Sequence, residues 1–307
     1  MLLPAFRNVK KFLKGNLHSH TTVSDGPLSP KELVDAYHKK GYDFLVLTDH
    51  RKVVKDAPSL STKGMVVIRG AELHPDNHYG GSLYHFVAVD IPGDYDTSGK
   101  HGQEVIDDIV AQGALVYLAH PSWSGHGRTD LFPLHGYHGV EVANYGCREV
   151  GRMLSEDEWD DINTWQNVTD GIAVDDGHRM NDIGGAWVMV NAKACTAKAI
   201  KQALAEGRFY SSTGPEIYSV RVEPVEIPSR EAPILGTKVS VKTSPARRVC
   251  LRSVPTHGSF VEGSDITAAE MTVKRRDVFY RVVVEDSQGQ LAWSNPFIPA
   301  RLFGGTR

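Results

Sequence analysis

The sequence predicts an α/β chain, a barrel of alternating strands and helices followed by a small all-β, sandwich-like domain. Strand-length apolar runs alternate with helix-period segments through the first two thirds of the chain. Chemistry-bearing side chains stand where those runs stop, and a barrel with its site at the C-terminal rim gathers many strand ends in one place. From about Pro215 the pattern changes to short alternating runs punctuated by Pro and Gly, the mark of an antiparallel sheet. The expected division is residues 1–214 for the barrel and 215–307 for the β-domain.

At 307 residues the chain is long enough for one large and one small domain and buries a full core without staples. A net charge of −3 gives no broad grip on nucleic acid, which disfavours long polymers as partners. Three cysteines, Cys147, Cys195 and Cys250, form no CxxC pair, which argues against a disulfide framework and a zinc ribbon. The apolar run in MLLPAFRNVKKFLKG is too short and interrupted for a signal peptide. No later segment approaches the roughly 18 apolar residues of a membrane helix. A cytoplasmic protein with no membrane partner is expected.

The first unit runs from Gly15 to His50. Its opening strand delivers His18 and His20, which a period of two projects to the same side, with Asp25 just beyond. Ser29-Pro30-Lys31-Glu32 starts a helix with a capping box, Leu33, Val34, Ala36 and Tyr37 form its apolar stripe, and Gly41 ends it. Phe44 to Leu47 is a buried strand that delivers Asp49 and His50. Met65 to Arg69 begins the next strand and presents Glu72, a carboxylate suited to bridging two cations. Tyr84 to Asp90 is a strand holding His85 among apolar residues; for His74 and His78 a place behind the ligands, a place facing substrate and simple exposure all stay open.

His101 to Gln112 is a helix with Val105, Ile106, Ile109 and Val110 on one face, closed by Gly113. Ala114 to Ala119 is a strand ending in His120-Pro121, where the proline stops the ladder and leaves the imidazole at the rim. Trp123 is expected as pocket wall. Gly139 to Ala143 leads to Asn144, a candidate for holding a substrate oxygen. Arg148 opens a helical region reaching Trp165, whose SEDEWDD stretch is expected to be a solvated acidic face. Gly171 to Val174 is the seventh strand and delivers Asp176-x-His178, repeating the logic of His18-x-His20, with Asp175 turned away. Thr196 to Glu206 is the closing helix. Beyond it, strands are expected at Ile217 to Val222, Val239 to Val241, Val249 to Val254 and Val278 to Val284, with a hairpin turn at Ser287 to Gln290.

Thirteen of the 14 histidines lie at or before His178, which confines the expected metal chemistry to the first two thirds. The motif HSHTTVSDG, the following TDH, Glu72, His85, Ala119-His120-Pro121 and Asp176-x-His178 resemble the PHP superfamily, named for polymerase and histidinol phosphatase domains. The wording NLHSHTTVSDGPLSPKELVDAY, with FYSSTGPEIYSV and VEDSQGQLAWSNPF, resembles its CehA/McbA branch. The resemblance implies a distorted seven-stranded (β/α) barrel; pattern alone leaves eight strands open. It also implies a ligand division in which His18, His20, Glu72 and Asp176 hold one ion. Glu72 is shared with a second ion on His85 and His120, and Asp25, His50 and His178 hold a third.

Imidazole and carboxylate without thiolate suit zinc, manganese or iron, and nine ligands imply two to three ions. Such a centre makes hydroxide near neutral pH and clamps an in-line displacement at phosphorus. The expected activity is hydrolysis of a small phosphomonoester or nucleotide-type phosphodiester, with Glu72, Asp176 and His178 carrying the reaction. Trp123, Asn144, Arg148, Arg179 and Arg128 are the candidate substrate contacts. The alternatives are carbamate, amide or ester hydrolysis on the same metals, or a non-catalytic domain that metals only stabilise.

Overall fold

The computed structural model describes residues 1–254 and 257–303. In chain order the barrel half comprises β1 (Leu13–Asn16), α1 (Pro30–Lys39), β2 (Phe44–Leu47), β3 (Val66–Leu73), β4 (Phe86–Val89), α2 (Gly102–Ala111), β5 (Leu115–Leu118), α3 (Pro121–Ser124), α4 (Arg128–Leu131), β6 (Gly139–Asn144), α5 (Glu156–Trp165), β7 (Asp170–Val174), β8 (Trp187–Val190), α6 (Ala197–Ala205) and β9 (Phe209–Ser212). The remainder is β10 (Ile217–Ile227), β11 (Ile234–Arg252), β12 (Ser259–Val273), β13 (Arg281–Glu285), β14 (Leu291–Ser294) and α7 (Pro299–Leu302). The capping box starts α1 as expected, with Ser29 and Glu32 bonding reciprocally.

Strands β1 to β7 lie side by side in chain order, and β1, β2 and β3 run parallel, as do β5, β6 and β7. β4 is antiparallel to both β3 and β5, a departure from the all-parallel expectation. The glycine-rich connection before it, residues 74–85, forms no helix to carry a parallel return across the sheet. The reversal places the start of β4, not its end, beside the ends of β3 and β5. β7 meets β1 at the rim, where Ser19 bridges Gly177 and the Asp176 amide donates to the His18 carbonyl at 3.0 Å. At mid-height β7 is joined to β9 through one hydroxyl: Ser211 Oγ accepts from the Ala173 amide and donates to the Gly171 carbonyl. Leu17, Phe44, Val46, Ile68, Val87, Tyr117, Ile172 and Val188 fill the space between the strands.

β8 and β9 are antiparallel strands absent from the sequence reading. β9 pairs β8 on one edge and β14 on the other, so the ladder continues from the barrel into the C-terminal sheet. That sheet is one bent ribbon whose two limbs share a core, with Val220, Val222, Val239 and Val241 from one limb and Val282, Val284 and Ala292 from the other. β11 pairs β10 along its first half and β13 along its second, bending at irregular pairing between Lys242 and Ala246, where Pro245 cannot donate to a ladder. β12 lies along the other edge of β11. Residues at the N-terminus, expected within the barrel, pack on this sheet: the Leu3 amide donates to the Val220 carbonyl, and Leu3, Ala5 and Phe6 join its core.

The stretch expected as a solvated acidic face is instead a docking surface for the sheet. Trp159 and Asp160 on α5 are buried, and Arg281 of β13, fully buried, stacks 4.5 Å over Trp159 and pairs with Asp160 and Glu156. Arg252 reaches Glu156 at 2.8 Å and Asp160 at 3.4 Å, and Trp293 Nε1 donates to Glu156 at 3.0 Å. Among the described residues no helix is long and apolar enough to cross a membrane.

Candidate metal centre

His18 and His20 follow β1, and their Nε2 atoms lie 3.1 Å apart. The loop beyond them is held by Asp49, which is buried and accepts from the Thr21 and Ser24 amides at 2.7 and 3.1 Å and from both hydroxyls. Gly26 lets this loop close, because a Cβ there would lie 2.1 Å from the His20 carbonyl oxygen. The turn brings Asp25 Oδ2 to 3.4 Å from His50 Nε2 and 3.5 Å from His178 Nε2.

Glu72 stands at the centre. Oε1 lies 2.6 Å from His85 Nδ1 and 3.2 Å from His120 Nε2; Oε2 lies 2.6 Å from His50 Nδ1, 3.4 Å from His18 Nε2 and 3.5 Å from His20 Nε2. His85 reaches this point because β4 is reversed and begins at the rim. Asp176 Oδ1 faces His20 Nε2 at 3.0 Å and His18 Nε2 at 3.3 Å, and His178 Nδ1 lies 3.0 Å from the Asp176 carbonyl. All nine residues expected as ligands thus converge, in four overlapping groups: His18, His20 and Asp176; Glu72, His85 and His120; His20, Asp25, His50 and His178; and His50, Glu72 and His74. His120 and Asp176 hold φ of 29° and 48°, left-handed values rare for residues with a Cβ, at an expense on the order of 1–3 kcal/mol each.

The donor set fits divalent cations. Glu72 Oε2 is buried and no hydrogen-bond donor reaches it in bonding geometry. Ring nitrogen faces ring nitrogen between His18 and His20 at 3.1 Å and between His50 and His178 at 3.4 Å. Nitrogens bound tetrahedrally at about 2.0–2.1 Å from one ion stand roughly 3.3–3.4 Å apart. Without cations the carboxylates stay ionised, and imidazole takes up a proton beside them. Burial opposes protonation of His18, yet Asp176, Glu141 and Glu72 outweigh it and hold its imidazole well above the usual range. Burial likewise opposes ionisation of Glu72, but His18, His120 and His50 keep it well below the usual carboxylate range.

Three residues outside the expected ligand set contribute, and of these only Glu141 went unnamed in the sequence reading. Glu141, fully buried in β6, accepts from His18 Nδ1 at 2.7 Å, from the His120 amide at 2.8 Å and from Asn144 Nδ2 at 2.9 Å. A carboxylate inside the apolar run GVEVA was the available signal. Asp49 is the second, and the third is His74, whose Nε2 lies 3.1 Å from His50 Nδ1. Glu72-x-His74 has the same two-residue spacing as His18-x-His20. His78 lies against His101 and Tyr79, and not among the ligands.

The substrate contacts expected from sequence fare differently. Trp123 is half exposed at the rim, its ring 4.9 Å from that of His120 and 5.8 Å from that of His85. Asn144 is buried, and its amide donates to Glu141 and, at 3.0 Å, to Asp176, so it positions protein groups in place of a substrate oxygen. Arg148 is engaged by Asp182 at 2.7 Å and lies over Tyr145; Arg179 pairs with Glu149, and Arg128 forks onto Asp161 at 2.6 and 2.8 Å. Each of the three guanidiniums is thus paired with a carboxylate. Asp175 is turned away as expected, accepting from Tyr37 and from the Gly184, Gly185 and Ala186 amides.

An α/β sheet whose rim gathers imidazoles and carboxylates defines a metal-centre fold. The whole chain superposes on the crystal structure of a two-domain protein containing a predicted PHP-like metal-dependent phosphoesterase from Bacteroides vulgatus, with a TM-score of 0.51 and 18% identity over 94% of this chain and 96% of that one. The fold is PHP-like. No family model matches the sequence. Among curated proteins, the DNA polymerase/3'-5' exonuclease PolX of Bacillus subtilis is 43% identical over 51 residues, 17% of this chain and 9% of that protein. An uncharacterized protein of Methanocaldococcus jannaschii is 29% identical over 155 residues, 48% of this chain and 59% of that one. A 5'-3' exoribonuclease of Haemophilus influenzae is 35% identical over 79 residues, 25% and 28% of the two chains. The chain thus spans less than two thirds of the length of each of these relatives.

Proposed function

We propose that the chain is a metal-dependent hydrolase, with residues 1–214 carrying the chemistry, that cleaves a small phosphomonoester or a nucleotide-type phosphodiester. The observation that carries this reading is Glu72, whose two oxygens face two separate groups of imidazoles. One ion would sit on His18, His20, Glu72 and Asp176, a second on Glu72, His85 and His120, and a third on Asp25, His50 and His178. Zinc, manganese and iron all suit these donors. When bound, such ions supply Lewis acidity toward the scissile group and acidify water near neutral pH. The chain's own residues do the rest. Glu141 holds His18 and, through the His120 amide, the turn after β5; Asn144 aims Asp176; Trp123 walls the rim beside His85 and His120. Glu72, Asp176 and His178 are the residues we assign to the reaction.

One observation favours a second reading, hydrolysis of a carbamate, amide or ester of the CehA/McbA kind. Arg128, Arg148 and Arg179 are engaged by carboxylates and do not present a free guanidinium to a phosphate. A panel of p-nitrophenyl phosphate, bis-p-nitrophenyl phosphate, nucleotides, short oligonucleotides, aryl carbamates and aryl esters separates the readings when run on chain reconstituted with Zn²⁺, Mn²⁺ or Fe²⁺. Turnover of phosphoesters that is lost in Glu72→Gln and His120→Ala supports the first reading. Turnover confined to carbamates or esters replaces it with the second, and activity unchanged in both variants overturns metal catalysis.

A further inference from the structure

Several imidazoles in the cluster turn one ring nitrogen toward the other ligands and set the ring's angle with the second. A ligating histidine is usually fixed by what its outer nitrogen touches. For His18 that partner is Glu141 at 2.7 Å, for His120 the Ser124 hydroxyl at 3.2 Å, and for His178 the Asp176 carbonyl at 3.0 Å. His50 presents Nε2 to Asp25 and His178, so its outer atom is Nδ1.

Two groups stand near that atom. Glu72 Oε2 is 2.6 Å away, but the same oxygen also faces His18, His20 and, at 3.6 Å, His74 Nε2, so it is shared among four imidazoles. His74 Nε2, 3.1 Å away, meets His50 Nδ1 as a hydrogen-bond partner. His74 is itself held: its ring stacks 4.2 Å from that of His85, its carbonyl accepts from the Thr97 hydroxyl at 3.2 Å, and its side chain is 8% exposed. The bridge between His50 and Glu72 extends the β2–β3 pairing and turns His50 toward the face that carries His74.

We propose that His74 is the positioning residue of His50: its Nε2 accepts a hydrogen bond from His50 Nδ1–H, fixes His50 as the tautomer with a free Nε2 lone pair, and thereby completes the ion site shared with Asp25 and His178. The inference rests on reading the cluster as a metal centre. It deepens that reading, because the ion nearest solvent becomes the one whose retention depends on a residue outside the ligand set. Loss of such an outer partner typically weakens metal binding about 10–100-fold.

The test strips the full chain of ions and reloads it with Mn²⁺ alone and with Zn²⁺ alone. Bound equivalents are then counted by elemental analysis after dialysis against graded chelator. Asp25→Ala marks the ion in question. His74→Ala should lose the same single equivalent as Asp25→Ala at about 10–100-fold lower chelator than the wild type, the other equivalents remaining as an internal sign of correct folding. His74→Gln, whose side-chain oxygen can still accept from Nδ1, should recover most of the lost affinity. Wild-type retention in His74→Ala overturns the inference. So does a loss in His74→Gln as large as in His74→Ala, which would make His74 a ligand. A wild-type chain that binds no ion under any loading sinks the metal reading itself.

Discussion

Replacing Arg281 with Met tests how the C-terminal sheet is fastened to the barrel. Arg281 is fully buried, pairs with Asp160 and, at 3.3 Å, with Glu156, and stacks over Trp159. Met keeps most of the apolar volume and removes the charge, so the loss is chiefly that of two buried carboxylates deprived of a partner. Breaking a buried pair from one side destabilises by about 3–5 kcal/mol. Arg252 remains 2.8 Å from Glu156 and 3.4 Å from Asp160 and takes up part of that charge, which places the expected loss near the lower end, about 3 kcal/mol. Urea unfolding followed by tryptophan fluorescence suits the measurement, because Trp159 and Trp293 both belong to the cluster. Arg281→Met combined with Asp160→Asn should be less destabilised than the sum of the two single variants. A single-variant loss below about 1 kcal/mol, or strict additivity, would refute the idea that this network fastens the two parts.

Three further outcomes follow from the site and the barrel floor. Glu141→Gln should weaken ion binding about 10–100-fold while leaving the fold intact, as read by calorimetric titration with Zn²⁺. Because neighbouring carboxylates hold the His18, His50 and His120 imidazoles above their ordinary range in the ion-free chain, protons compete with cations there; chelator should strip ions progressively more easily as pH falls below about 7. Asp170 lines a cavity of about 250 Å³ with Leu3, Asn295 and Phe297, and burial pushes its carboxyl from 3.8 to about 7. The folded state therefore binds the extra proton between these values and stability falls as pH rises through that window. Asp170→Asn should raise stability above pH 7, with no gain below about pH 4, checked by melting at both pH values.

The ligands were legible because period-two spacing and strand-stopping signals are local. His18-x-His20, Asp176-x-His178 and His120-Pro121 each declare a direction without reference to the rest of the chain. The Ser29 capping box fixed the start of α1 for the same reason. Strand direction is not local, and nothing in Phe86 to Val89 distinguishes a parallel from an antiparallel neighbour. β12 escaped notice because SFVEGSDITAAEMTV lies on an edge with most of its side chains in water, so it lacks the apolar alternation of a covered strand. Glu156 and Asp160 looked solvated because their partners, Arg252 and Arg281, come from roughly 90 to 125 positions downstream. Arg128, Arg148 and Arg179 looked available for a substrate for the complementary reason.

β9 belongs to both halves of the molecule at once, bonded to β8 on one edge and to β14 on the other. There is accordingly no clean cut point near residue 214. Severing the chain there would strip β14 from its neighbour and bare an unpaired row of amides and carbonyls on each fragment, the kind of raw edge that invites aggregation. The same continuity joins the C-terminal sheet to the barrel through a shared strand and not through a linker.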